Sequence, residues 1–177
     1  MTLEERAFAW IEPYWNAEHL VRTRDWVLEL QPDASEALRL AALTHDMERH
    51  FPGGPRLDPR WQRPDDAEYI RAHSERSAEI VGDFLRDEGA GTELAAEVER
   101  LVRAHELGGW DEADVLQAAD SLSWFDTNQE LARRWVREGE CDAEWARAKH
   151  RWTYERIGIE RARELARGPY EEALAGV

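Results

Sequence analysis

Four histidines, each set in the apolar stripe of a different helical segment, constrain this chain of 177 residues more than any other feature. Leu, Ile, Val, Phe or Trp three or four positions away define the inward faces on which His19, His45, His73 and His105 fall. Asp46 follows His45 directly, and Asp120 has Leu116 one turn before it and Trp124 one turn after it. Any one of these histidines alone reads as a core residue hydrogen-bonded to a neighbour. Four imidazoles and two carboxylates together cannot be buried without partners, because an unpaired polar group removed from water is costly. A shared metal site satisfies all six at once.

The apolar pattern is helical throughout, without a convincing run of alternating apolar and polar residues. The expected fold is therefore all-α, a bundle of about seven to eight helices forming a single domain over residues 1–177. A short first helix covers roughly Leu3 to Ile11, and a second runs from about Asn16 to Leu30. A capping box at Asp33-Ala34-Ser35-Glu36 starts the third, which ends at His45-Asp46. From Met47 to Pro64, Pro and Gly break any helix, and a loop of this length in a compact domain is either functional or disordered. The fourth helix runs from the Asp65-Asp66 cap to about Glu88, and the fifth begins after a Thr92 cap and ends near His105. Asp111 opens a sixth helix to about Phe125, and a capping box at Thr127-Asn128-Gln129-Glu130 opens a seventh that ends near Gly139. The last long helix is expected from about Ala143 to Arg167, with Gly168-Pro169 separating a short tail.

A formal net charge of -15 argues against nucleic acid backbones and anionic membranes as partners. A small anionic substrate is compatible with it, since bound metal ions reverse the local field. Cys141 is the one cysteine, which excludes an internal disulfide and fits a reducing, cytoplasmic compartment. No apolar stretch approaches the ~18 residues needed to span a membrane, and the acidic N-terminus is unlike a signal peptide. Exposed aromatics leave room for a homodimer.

The order His19, His45-Asp46, His73, His105, Asp120 resembles the HD-domain superfamily of metal-dependent enzymes. The resemblance covers about residues 16–128, with helices over about 128–177 expected to pack on that core. It implies that His19, His45, Asp46 and Asp120 hold one metal, and that Asp46 bridges to a second held by His73 and His105. The segments are most similar to a bacterial subgroup that hydrolyses diadenosine tetraphosphate, through His73, His105-Glu106-Leu107-Gly108-Gly109 and Ala119-Asp120. One departure stands out: where many members carry Gly-Lys after the doublet, this chain has Met47-Glu48-Arg49-His50.

Mixed imidazole and carboxylate ligands suit two divalent transition-metal ions among Fe, Mn, Co, Ni and Zn. Such a pair activates a bridging water for phosphoester hydrolysis, which makes a nucleotide or other small phosphoester the expected substrate. Asp46 is expected to orient that water, and Arg49 to hold a phosphate. Arg76, one turn from His73, is either a substrate contact or a surface ion-pair partner of Glu75 or Glu79. Glu48 and His50 belong either to the substrate mouth or to a solvated loop. Lys149-His150-Arg151 and Tyr154-Glu155-Arg156 either reach the cleft from the last helix or, as the plainer reading, form an ordinary solvated face, and Trp61 and Trp110 are loop residues that pack over the core or stack on a base. Cys141 lacks a paired base, which makes it a poor nucleophile candidate. The same ligand set occurs in HD-type di-iron oxygenases that cleave C-C or C-P bonds, and a non-catalytic ligand-sensing HD module is a third alternative.

Overall fold

In a computed structural model covering residues 1–177, every regular element is helical. The helices are α1 (Leu3–Ile11), α2 (Ala17–Leu30), α3 (Glu36–Thr44), α4 (Ala67–Asp87), α5 (Thr92–Ala104), α6 (Asp111–Thr127), α7 (Gln129–Glu138), α8 (Ala143–Glu155) and α9 (Glu160–Ala175). A single 3-10 turn, Met47–His50, follows α3. No helix is long and apolar enough to cross a membrane.

Two helices sit at the centre because apolar residues cover most of their circumference. Residues 37, 38 and 40–44 of α3 are all buried, as is every residue of α6 from Val115 to Phe125. Around α3 pack α1, α2 and α5, and α4 lies against α5. A second, smaller core joins Leu122 and Phe125 of α6 to Ile157, Ala162 and Ala166, so that α9 is fastened to α6. The central helices α3 and α6 therefore carry the His45-Asp46 doublet and Asp120 into the interior, between the flanking helices that bear His19, His73 and His105.

Several helix starts differ in detail from the expected caps. Ser35, not Asp33, caps α3, its hydroxyl accepting from the Leu38 amide. The box expected at Thr127 does not form, because the Thr127 hydroxyl donates back to the Ser123 carbonyl at 2.8 Å and no side chain caps α7. The larger difference lies near the C-terminus. The expected last helix is two helices, broken at Ile157-Gly158-Ile159, and the second runs through Gly168-Pro169. Burial of Ile157 in the second core turns the chain there, and the Arg163 guanidinium donates to the carbonyls of Glu155 and Ile157, capping the end of α8. Pro169 is tolerated because the carbonyl it leaves unpaired, that of Leu165, belongs to an exposed residue.

Replacing this interior proline therefore has a defined outcome. Pro169→Ala restores an amide donor within α9 and should raise unfolding stability by about 1–3 kcal/mol. Chemical denaturation monitored by tryptophan fluorescence reads this, and an unchanged midpoint would place the end of the helix before Gly168.

Candidate metal centre

Two of the four histidines are aimed by the same local device. His45 and His105 occupy the C-cap positions of α3 and α5. Carbonyls in the last turn of a helix lack amide partners. Each imidazole supplies one: His45 Nδ1–H donates to Ala42 O at 3.0 Å, and His105 Nδ1–H to Val102 O at 2.6 Å. Both rings are thereby fixed in the tautomer whose Nε2 carries a lone pair and faces away from the helix.

The other two lie within helices and are held from a distance. On α4, His73 donates Nδ1–H to Glu48 Oε2 at 2.9 Å. The Ser123 hydroxyl of α6 donates to the His19 carbonyl at 2.8 Å, so its oxygen is left to accept from His19 Nδ1 at 2.9 Å. All four imidazoles thus spend Nδ1 on an acceptor and present Nε2 to a common interior region. The ring centroids form a continuous row, with His19 5.4 Å from His45, His45 5.0 Å from His105, and His105 5.3 Å from His73. This arrangement of an outer acceptor on each imidazole is the usual support of metal-ligating histidines.

Two triads result, His19/His45/Asp120 and Asp46/His73/His105, in each of which one ligand atom per residue lies within 4.8 Å of the others. All six residues are buried. Asp120 Oδ1 is 3.1 Å from His19 Nε2 and 3.5 Å from His45 Nε2, and Asp46 Oδ1 is 2.9 Å from His73 Nε2. In the tautomers set by the Nδ1 bonds, a nitrogen lone pair faces a carboxylate oxygen at each contact, and the Nε2 atoms of His45 and His73 have no hydrogen-bond partner. Such facing lone pairs repel unless a cation or proton lies between them. The basicity of the rings reflects this. Burial lowers the pKa of His45 and of His73, but the carboxylates of Asp120 and Asp46 outweigh it and raise both. His105 has Glu106 Oε1 3.7 Å from its Nε2, which opposes the shift, but burial dominates and pushes the ring down to about 4. The donor set and its uncompensated field fit metal ions.

Each carboxylate gives its second oxygen to an arginine. Asp46 Oδ2 accepts from Arg49 Nε at 2.8 Å, and Asp120 Oδ2 from Arg156 Nη2 at 2.6 Å. Burial would raise both carboxyls, yet Arg49 beside Asp46 and Arg156 beside Asp120 hold them well below the usual carboxylate range. Asp46 groups with His73 and His105, the pair to which the family resemblance has it bridge. The chain leaves α-helical geometry at Asp46, which heads the 3-10 turn, and its carboxylate is directed towards α4.

The sites open into a cavity of about 570 Å³ lined by His19, Asp46 and Asp120, by Arg49, Lys149 and Arg156, and by aromatic residues that include Tyr69 and Trp124. Its other wall is the segment after the 3-10 turn, through Pro55, Arg56 and Leu57, so the long loop is part of the cavity. Arg49 meets its expected position at the cavity wall, with Nη1 donating to Tyr69 Oη at 2.9 Å. Arg76 does not. Its Nη2 donates to Pro52 O at 2.6 Å and its Nε lies 3.9 Å from Glu48 Oε1, outside the cavity, because the buried Glu48 stands between it and His73. Glu48 is therefore support for His73 rather than part of a mouth. His50 stacks on Tyr14 at 4.0 Å and bonds Oδ1 of Asn16, a residue of the cavity lining, and so sits behind that wall. Cys141 reaches the cavity wall, but burial and the neighbouring Asp142 and Glu140 push its thiol up, away from thiolate character.

The presumed solvated face near the C-terminus needs the largest correction. His150 is fully buried, Lys149 lines the cavity, and Arg156 clamps Asp120 and Glu106 at once. Arg156 follows the last turn of α8, and no spacing rule connects it to Asp120 36 residues earlier. Glu106 stands next to His105 but carries no periodic signal of its own. Of the two loop tryptophans, Trp110 packs on the core beneath Arg100, whereas Trp61 is 84% exposed.

Loss of an outer acceptor should loosen one triad and spare the other. Glu48→Ala is expected to weaken metal binding at Asp46/His73/His105 by about 10–100-fold, with the His19/His45/Asp120 site unchanged. Competition titration against a chromophoric chelator resolves the two sites, and equal weakening of both would contradict the separation into triads.

No curated protein and no solved structure matches this chain. A family described as a domain of unknown function, DUF4202, matches residues 13–168, a span that contains all six clustered residues and Arg156. The chain is a member of the DUF4202 family.

Proposed function

We propose that this chain is a metal-dependent phosphohydrolase of the HD type, acting on a nucleotide or another small phosphoester. The observation that carries the metal is the four Nδ1-pinned imidazoles presenting Nε2 towards two carboxylates. His19, His45 and Asp120 would hold one divalent transition ion, and Asp46, His73 and His105 a second. When bound, such ions supply Lewis acidity and a water of lowered pKa. An anionic substrate is favoured by the cavity wall, where Arg49, Arg56, Arg134, Lys149 and Arg156 outnumber the carboxylates of Asp46, Glu106, Asp120 and Glu140 within a chain whose net charge is -15. Arg49, tied to Asp46 and Tyr69, is placed to orient a phosphoryl oxygen, and Tyr69 and Trp124 offer apolar surface to the rest of the substrate.

One observation favours a second reading. Each triad is two histidines and one carboxylate, the ligand set typical of non-haem iron oxygenases. Under it the same cavity would accept an anionic organic substrate and dioxygen.

The two readings separate in one set of measurements. Protein purified anaerobically should contain two transition-metal ions per chain by elemental analysis, and release phosphate or a nucleotide from a phosphoester panel with Mn, Fe, Co or Ni. His45→Ala and Asp46→Ala should each lower metal content and reduce turnover about a hundredfold or more. Unchanged metal content in both variants would refute the metal centre. Substrate-dependent oxygen uptake without hydrolysis of any phosphoester would favour the oxygenase.

A further inference from the structure

Lys149 is the only lysine in the chain. Its side chain projects from α8 into the cavity wall, with Nζ 5.0 Å from the Trp124 ring centroid and 4.5 Å from that of Trp152. Contacts of this kind with indole faces stabilise a cation but leave its charge uncompensated. Glu106 and Asp120 act on the ammonium from a distance, but the ion pairs they close are with Arg156. The acidic groups nearby are already engaged, since Arg156 takes Glu106 and Asp120 Oδ2, and Arg49 takes Asp46 Oδ2. Lys149 is half-buried, and its ammonium stays open to the cavity without a carboxylate to neutralise it.

We propose that Lys149 is an anion-binding residue of this cavity, receiving a phosphoryl or comparable oxyanion group against its ammonium, beside the two triads. The assignment rests on reading the cavity as a phosphoester site, yet it concerns a residue outside both triads. The sequence resemblance gave α8 no part in the site, and the doublet's expected lysine is absent from the 3-10 turn. The cation comes instead from a helix about a hundred residues later. Its surroundings also tune it. Burial pushes the ammonium down to about 8, with Arg156 and Arg49 adding to the effect and Glu106 and Asp120 opposing it. Binding of an anion favours the charged form, so affinity should be greatest below about pH 8 and fall as Lys149 loses its proton above it.

A single lysine makes the test direct. Reductive methylation with ¹³C-formaldehyde labels Lys149 and the N-terminal amine alone, and Lys149→Arg identifies the lysine resonance. The measurement uses metal-depleted full-length protein and inorganic phosphate as the probe, so that metal ligation contributes nothing. The expected result is a resonance that titrates near pH 8 and whose midpoint moves upward on addition of phosphate. Lys149→Met, which keeps the apolar stem between the indoles, should weaken phosphate binding about tenfold or more, with Lys149→Arg restoring most of it. Near-UV circular dichroism of the tryptophans checks that the Met variant is folded. A resonance unmoved by phosphate, or equal phosphate binding by wild type and Lys149→Met, would overturn the assignment. Failure of metal binding with an intact phosphate response would overturn the phosphohydrolase reading and leave Lys149 standing as an anion site.

Discussion

The hydrogen bond at each imidazole Nδ1 is the interaction on which the rest of the interior depends. A neutral imidazole has one donor and one acceptor nitrogen, and whichever nitrogen is tied to an acceptor determines what the other can do. Ala42 O, Val102 O, Glu48 and Ser123 each accept a hydrogen bond from one ring. Four Nε2 lone pairs are then brought together beside Asp46 and Asp120. Left to itself, that is an unfavourable collection of electron pairs in a region from which water is nearly excluded. The arginines reduce part of the cost by occupying one oxygen of each carboxylate, and the remaining field is what makes the cluster suited to cations.

Helix order distributes the labour among elements. Helices α3 and α6 reach the centre because apolar residues surround most of their circumference, and the polar groups of α6, Gln117, Asp120, Ser121 and Ser123, find partners inside. The C-terminal pair α8–α9 is fastened to α6 through the second core, and this places Arg156 and Lys149 over the sites. Its break at Ile157-Gly158-Ile159 matters for function as well as topology. Arg156, at the C-cap of α8, reaches both Glu106 and Asp120, tying the end of α8 to the residue after His105 and to the middle of α6.

Much of this could be read directly from residue order. Helical period, glycine and proline breaks, and the placement of His19, His45, His73, His105 and Asp120 on apolar faces all follow from local spacing. The C-cap roles of His45 and His105 were also within reach, since a histidine at a helix end commonly bonds the last carbonyls. Arg76 shows where such reasoning fails. Its position one turn from His73 is correct, yet Glu48 from another element intervenes, and helix spacing does not reveal what lies across an interface. The C-terminal basic residues failed for a related reason. A stretch of Lys, Arg, Tyr and Trp looks solvated because charge is normally exposed, and for Arg156 it is the pairing with Glu106 and Asp120 that allows burial.

The amino-acid sequence by itself determined an all-α chain and nominated six metal-capable residues, because helix period and inward-facing polarity are properties of neighbours along the chain. Tertiary structure alone decided their division into two triads, the withdrawal of Arg76 to a supporting position, and the entry of Arg156 and Lys149. Those outcomes depend on which side chains meet after helices far apart in sequence have packed, and on charges that become costly, and so must find partners, only once water has been removed.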